Sequence, residues 1–77
     1  MKKKSLIHEY YRLKEMDPNR LQLRLKNGRV LRVLGLDFYP DRLIIHYTES
    51  LQTTYQQVES IQLNGGAPMI VEGTEER

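Results

Sequence analysis

There is no cysteine among the 77 residues. That excludes disulfides, thiolate zinc sites and a cysteine nucleophile, and it fits a reducing, cytoplasmic address. No apolar run approaches the ~20 residues of a membrane span, so no membrane partner is expected. Met1-Lys2-Lys3-Lys4 has the charge of a signal-peptide start. His8, Glu9 and Arg12 then follow where the apolar stretch would lie, so no such segment is read. Titratable chemistry near neutrality is scarce as well: the only histidines are His8 and His46, one in each half of the chain. No His-Glu-x-x-His, phosphate-loop or Gly-x-Ser-x-Gly pattern occurs. Asp37 and Asp41 flank Tyr39-Pro40 and read as turn caps, not as a general-acid pair. His46 reads as a strand-surface residue, because a metal site needs several convergent partners. The expectation is a protein that is not an enzyme, with no catalytic residues, no metal and no cofactor.

What the chain does have is enough for one domain. A chain this short buries only about 60% of the surface its unfolded form exposes, so its core is thin and no large enclosed site is expected. The net charge of +2 hides an asymmetry. Residues 1–32 hold ten Lys/Arg against three Asp/Glu, and residues 33–77 hold two against seven. A basic half suits phosphates and an acidic half repels them, although both halves are also what solvated faces look like.

Two periodicities divide the chain. Over residues 5–16, Leu6, Ile7, Tyr10, Leu13 and Met16 recur at three- and four-residue spacing, which predicts a short helix. Ser5 is its expected N-cap, and Pro18 disfavours helix at Asp17. Glu9 and Arg12 share this segment, so the helix lies on a surface and is not enclosed. From Leu21 the period is two. Leu21, Leu23 and Leu25 alternate with Gln22, Arg24 and Lys26, the pattern of a half-buried strand. Asn27-Gly28 then signals a hairpin, expected as a two-residue type I′ turn with positive φ at both residues. Arg29 to Phe38 reads as a strand apolar on both faces, with Gly35 marking a bend. Tyr39-Pro40-Asp41 turns the chain, and Leu43 to Thr48 is a third strand. Gln52 to Gln56 is a polar fourth strand, and Val58, Ile61 and Leu63 mark a fifth. Asn64 to Pro68 is a loop, Met69-Ile70-Val71 a further short strand or packed tail, and Glu72 to Arg77 is expected to be disordered.

The expected architecture is mainly β: a five-stranded, bent small barrel with an N-terminal α-helix closing one end. Its expected divisions are a basic arm at 1–4, the helix and barrel at 5–63, and a loop and tail at 64–77. Leu23, Leu25, Leu31, Val33, Leu43, Ile45, Val58 and Ile61 are the expected core.

Two stretches carry a resemblance. One is Leu23-Arg24-Leu25-Lys26-Asn27-Gly28 with Leu31, followed by Gly35 and Asp37-Phe38. The other is Gln52-Thr53-Thr54-Tyr55-Gln56-Gln57-Val58-Glu59-Ser60-Ile61. Together they resemble the Sm-like family, and within it the Hfq-like RNA chaperones, over about residues 5–63. The resemblance implies an Sm-like (SH3-like) barrel, single-stranded RNA as partner, and a homo-oligomer formed through the strands of 52–63. There are departures. Gln56-Gln57 stand where Hfq-like proteins have a Lys-His pair that contacts uridine-rich RNA, although amides also read bases. Gly35 falls about two positions later than the family's glycine, and Pro40-Asp41 replace a Gln-Phe that stacks RNA. Leu25-Lys26-Asn27-Gly28 and Met69-Ile70-Val71 also resemble the Rof-type inhibitors of the transcription terminator Rho, which implies contact with a protein such as Rho and no RNA binding. A barrel sharing only the geometry would imply neither.

The candidate RNA-binding residues are Arg24, Lys26, Arg29 and Arg32 on the first hairpin. To these are added Tyr39 and Tyr55 as stacking platforms and, from the resemblance, Gln56 and Gln57. Arg24 and Lys26, two apart on a strand, should project together. Against this, tyrosines in a small domain commonly serve as core or rim packing, as is also expected of Tyr10 and Tyr47.

Overall fold

Leu6, Tyr10 and Leu13 recur at helical spacing because they form one face. In the computed structural model, which describes residues 1–64, they are the buried side of helix α1 (Lys3–Met16). The helix starts two residues earlier than its expected N-cap. Lys2 takes that position with no side-chain cap, and Ser5 lies inside the first turn. Lys3 and Lys4 are therefore helical and not a free arm. The Met1 amino group is also held, donating to the carbonyls of Tyr55 and Val58 at 3.0 and 2.8 Å. Met16 falls outside the apolar face and is 64% exposed. Asp17 ends the helix: its Oδ1 accepts from the Asn19 N–H at 3.1 Å, opening a short 3-10 turn over Pro18–Arg20. No helix among the described residues is long and apolar enough to cross a membrane.

Six antiparallel strands follow among the described residues, in two open three-stranded sheets. They are β1 (Leu21–Leu25), β2 (Val30–Arg32), β3 (Gly35–Phe38), β4 (Leu43–His46), β5 (Ser50–Thr53) and β6 (Val58–Leu63). One sheet has the order β2-β1-β6 and the other β3-β4-β5. The expected second strand is thus two strands. Val33 N–H still donates to Leu21 in the first sheet, while the next residue, Leu34, donates to His46 in the second. The chain changes sheets between these two residues, just ahead of the expected bend at Gly35. The expected five-stranded closure is replaced by two open sheets, so the count and the closure are both corrected. The polar fourth strand is also shorter: β5 ends at Thr53, and Tyr55–Gln57 form a 3-10 turn leading into β6. The expected Met69-Ile70-Val71 strand lies outside the described residues.

Hydrophobic matching sets the hairpin between β1 and β2. The register pairs Leu23 with Leu31 and Gln22 with Arg32. A two-residue loop would instead have set Leu23 against Arg32 and put a charge on the buried face. The loop is therefore three residues, 26–28. Leu25 N–H donates to Arg29 at 2.9 Å, and Gly28 N–H donates to Leu25 at 3.0 Å. Gly28 has positive φ (+95°), and Asn27 does not. Asn27 contributes otherwise: its Oδ1 accepts from the Arg29 N–H at 2.9 Å. The expected type I′ turn is corrected to a three-residue loop closed by a glycine. All eight expected core residues are buried, together with Leu6, Tyr10, Leu13, Leu21, Leu36, Tyr47 and Tyr55.

Candidate nucleic-acid interface

The helix start, the hairpin tip and the 55–57 turn meet. A groove of about 570 Å³ lies between them, walled by Lys2, Lys3, Lys26, Asp41, Tyr55 and Gln56, with Met1, Pro40 and Thr54. Backbone contacts fix its walls. Lys26 N–H donates to the Gln57 carbonyl at 2.9 Å, and Gln57 N–H donates to Thr54 at 3.1 Å. Asp41 is the one acid among the lining residues, and its Oδ1 is 3.3 Å from the Arg42 guanidinium. Three lysines thus line the groove against one carboxylate, an excess of positive charge that concentrates anions.

The structure separates the four hairpin cations that the sequence grouped. Arg24 and Arg32 are exposed on the outer face of the first sheet. Each is one diagonal step from the other, since Arg24 pairs with Val30 and Arg32 with Gln22. Lys26 sits past the end of β1 and lines the groove, and Arg24 is not among the groove's lining residues. Arg29 lies opposite Leu25, on the other face from Arg24. It is half-buried, its guanidinium donating to the Tyr47 hydroxyl at 3.2 Å and lying 5.9 Å from that ring's centroid. That places Arg29 as a packing residue of the rim.

The expected platforms divide in the same way. Tyr55 is 8% exposed and belongs to the core, its hydroxyl donating to the Tyr39 carbonyl at 2.6 Å. It presents only a margin to the groove, with the Lys3 ammonium 6.0 Å from its centroid. Tyr39 is 37% exposed, and the Arg42 guanidinium covers its ring at 4.5 Å. Tyr11, 56% exposed and edge-on to Tyr10 at 5.1 Å, is the freer ring. Gln56 and Gln57 are both exposed, and only Gln56 lines the groove.

Burial pushes the Tyr55 phenol above its ordinary value of 10.0, and the nearby Asp41 carboxylate adds to the shift. A phenol whose folded value is raised contributes stability that is fully present below the unfolded value and lost as pH climbs through the folded one. Wild-type melting should therefore hold steady up to about pH 9 and fall above 10. Tyr55→Phe should lessen that alkaline fall and lower stability at neutral pH by about 1 kcal/mol, the usual size of one hydrogen bond. An alkaline melting series on both proteins checks this; a fall of equal steepness in the two would contradict it.

Lys2 and Lys3, expected as part of a basic arm at 1–4, are instead held at the helix start and line the groove. Only the docking of α1 beside the 55–57 turn makes them groove walls. Asp37, expected as a turn cap, instead pairs with a histidine. Its Oδ2 lies 2.7 Å from His46 Nε2, across β3 and β4. Among the described residues no three His, Cys, Asp or Glu side chains gather to hold a metal. No family model matches the chain, and neither a curated protein nor a solved structure matches it.

Proposed function

We propose that the chain is a small Sm-like domain that binds single-stranded RNA without catalysis, through the basic groove, and acts in transcriptional or post-transcriptional regulation. The observation that carries the reading is the convergence of Lys2, Lys3 and Lys26 on one groove whose lining also includes an amide, Gln56, and the margin of Tyr55. Ammonium groups contact phosphates, and an amide reads base edges. The strand order is in keeping with an Sm-like chain path: β6-β1-β2, then the changeover at Val33–Leu34, then β3-β4-β5. Among the described residues β5 and β6 each have one strand partner. These two edges are the proposed contact for a homo-oligomer, made by backbone hydrogen bonds between copies.

Titration of a short uridine-rich RNA at several salt concentrations tests the reading. Each phosphate neutralised on a single strand steepens the log–log salt dependence by about 0.7. Lys3→Ala with Lys26→Ala should weaken binding for all sequences and flatten the slope by roughly 1–1.5. Arg24→Ala with Arg32→Ala should change it less than the groove pair does. Absence of binding at about 50 mM salt, where phosphate contacts are strongest, would overturn the RNA reading. Contact with a protein such as Rho would then take its place. Light scattering on the same samples tests the edge contact: a mass several times the 9.1 kDa chain is expected, and a monomer contradicts it.

A further inference from the structure

On the outer face of the second sheet, away from the groove, three side chains form one hydrogen-bonded chain. His46 Nε2 is 2.7 Å from Asp37 Oδ2, and His46 Nδ1 is 3.2 Å from Ser50 Oγ. The strand register builds it. His46 pairs directly with Ser50 on β5 and with Gly35 on β3, and Asp37 lies two residues beyond Gly35 on the same face. Gly35 lies beneath the ring, where a Cβ would make only ordinary contact with His46 Cδ2, at 3.9 Å.

We propose that this chain activates Ser50 as a nucleophile toward small activated acyl and phosphonyl groups, independently of the RNA reading. A carboxylate only accepts hydrogen bonds, so in the neutral ring the proton sits on Nε2 facing Asp37. The Nδ1 lone pair then faces the Ser50 hydroxyl. That is the arrangement of a general base oriented by a third group, within the reach such pairs need. Gln52, two residues along β5 on the same face, carries a side-chain amide with no hydrogen-bond partner among the described residues. It is the donor this face offers to a developing oxyanion. His46 and Asp37 side chains are 41% and 52% exposed, so electrophiles reach the site from solvent.

With a fluorophosphonate the step balances as follows. Ser50 Oγ forms a bond to phosphorus, the P–F bond breaks and fluoride leaves. The hydroxyl proton passes to His46 Nδ1 and then to water. No oxidant or metal enters. The experiment is labelling of the full chain with a fluorophosphonate, read by intact mass and peptide mapping. One adduct, on Ser50, is expected. Its rate should fall roughly 10²-fold in His46→Gln, the usual contribution of a positioned base, and by less in Asp37→Asn, with Ser50→Ala unlabelled. Circular dichroism of each variant separates loss of fold from loss of reactivity. Labelling no faster than in urea-unfolded protein would overturn the proposal, as would an adduct spread over other hydroxyls. So would a folded His46→Gln or Asp37→Asn that labels at the wild-type rate.

Discussion

Leu23→Ala should cost about 2–5 kcal/mol, the range for a large-to-small change at a fully buried position. Leu23 is 0% exposed and sits in the middle of β1, which is the central strand of its sheet. It is paired on one side with Leu31 and on the other with Ile61, both buried. Removing its isopropyl group opens a cavity between two strands that the sheet's hydrogen bonds hold at fixed spacing, so collapse around the gap is limited. Domains of this kind have about 5–15 kcal/mol in total, and a thin core has little in reserve, so the variant should be partly unfolded at 37 °C. Leu23→Met, which conserves volume, should lose less than about 1.5 kcal/mol. Leu34→Ala is the control of opposite kind: Leu34 is 63% exposed, and its truncation should stay within about 0.5 kcal/mol. Urea titration of the three variants checks the ordering. Equal losses at Leu23 and Leu34 would contradict the assigned faces.

Gly28→Val should be the second most damaging change, and for a backbone reason alone. A Cβ at Gly28 meets nothing within 4 Å, so packing does not resist it. Its φ of +95° does, because a β-branched side chain clashes with its own backbone there. Holding such a residue in a sparsely populated conformation costs of order 1–3 kcal/mol. For a domain of this size each kcal/mol lowers Tm by about 4–8 °C. Gly28→Asn should lose less, since Asn visits positive φ more readily. Thermal melting of both variants is the measurement. Wild-type melting in Gly28→Val, with RNA binding lost, would make 26–28 a ligand loop and not a structural one.

The sequence shows the faces of the strands better than it shows how they close. Alternation from Leu21 onward and the Val/Leu/Ile positions up to Ile61 identify the core, because one buried face per strand forces a period of two. The hairpin loop was legible too, had the register been matched across it. Only a three-residue loop sets Leu23 against Leu31 and keeps Arg32 on the outer face with Gln22. The changeover between sheets at Val33–Leu34 was legible only as a bend near Gly35. A strand apolar on both faces looks the same whether it is central or passes from one sheet to another.

The site was the least legible part. Arg29 differs from Arg24 only by the strand parity that the loop length decides, and that parity turns it toward Tyr47. Tyr55 looks like a platform in the sequence, but the 55–57 turn directs it inward, where its hydroxyl finds the Tyr39 carbonyl. Ser50 opposite His46 required the tight β4–β5 turn, in which Tyr47 N–H donates to Glu49 at 2.9 Å. Three residues of connection place the hydroxyl beside the imidazole, and no motif spacing announces that.

Amide chemical-shift mapping tests the central claim most directly. The ¹⁵N-labelled chain is titrated with a short uridine-rich RNA at about 50 mM salt, where phosphate contacts are strongest. The account predicts movement at Lys2, Lys3, Lys26 and Thr54 through Gln56, shrinking as salt is raised, with Asp37, His46 and Ser50 unmoved. No movement at any concentration, or movement centred on the outer face of the second sheet, would contradict it.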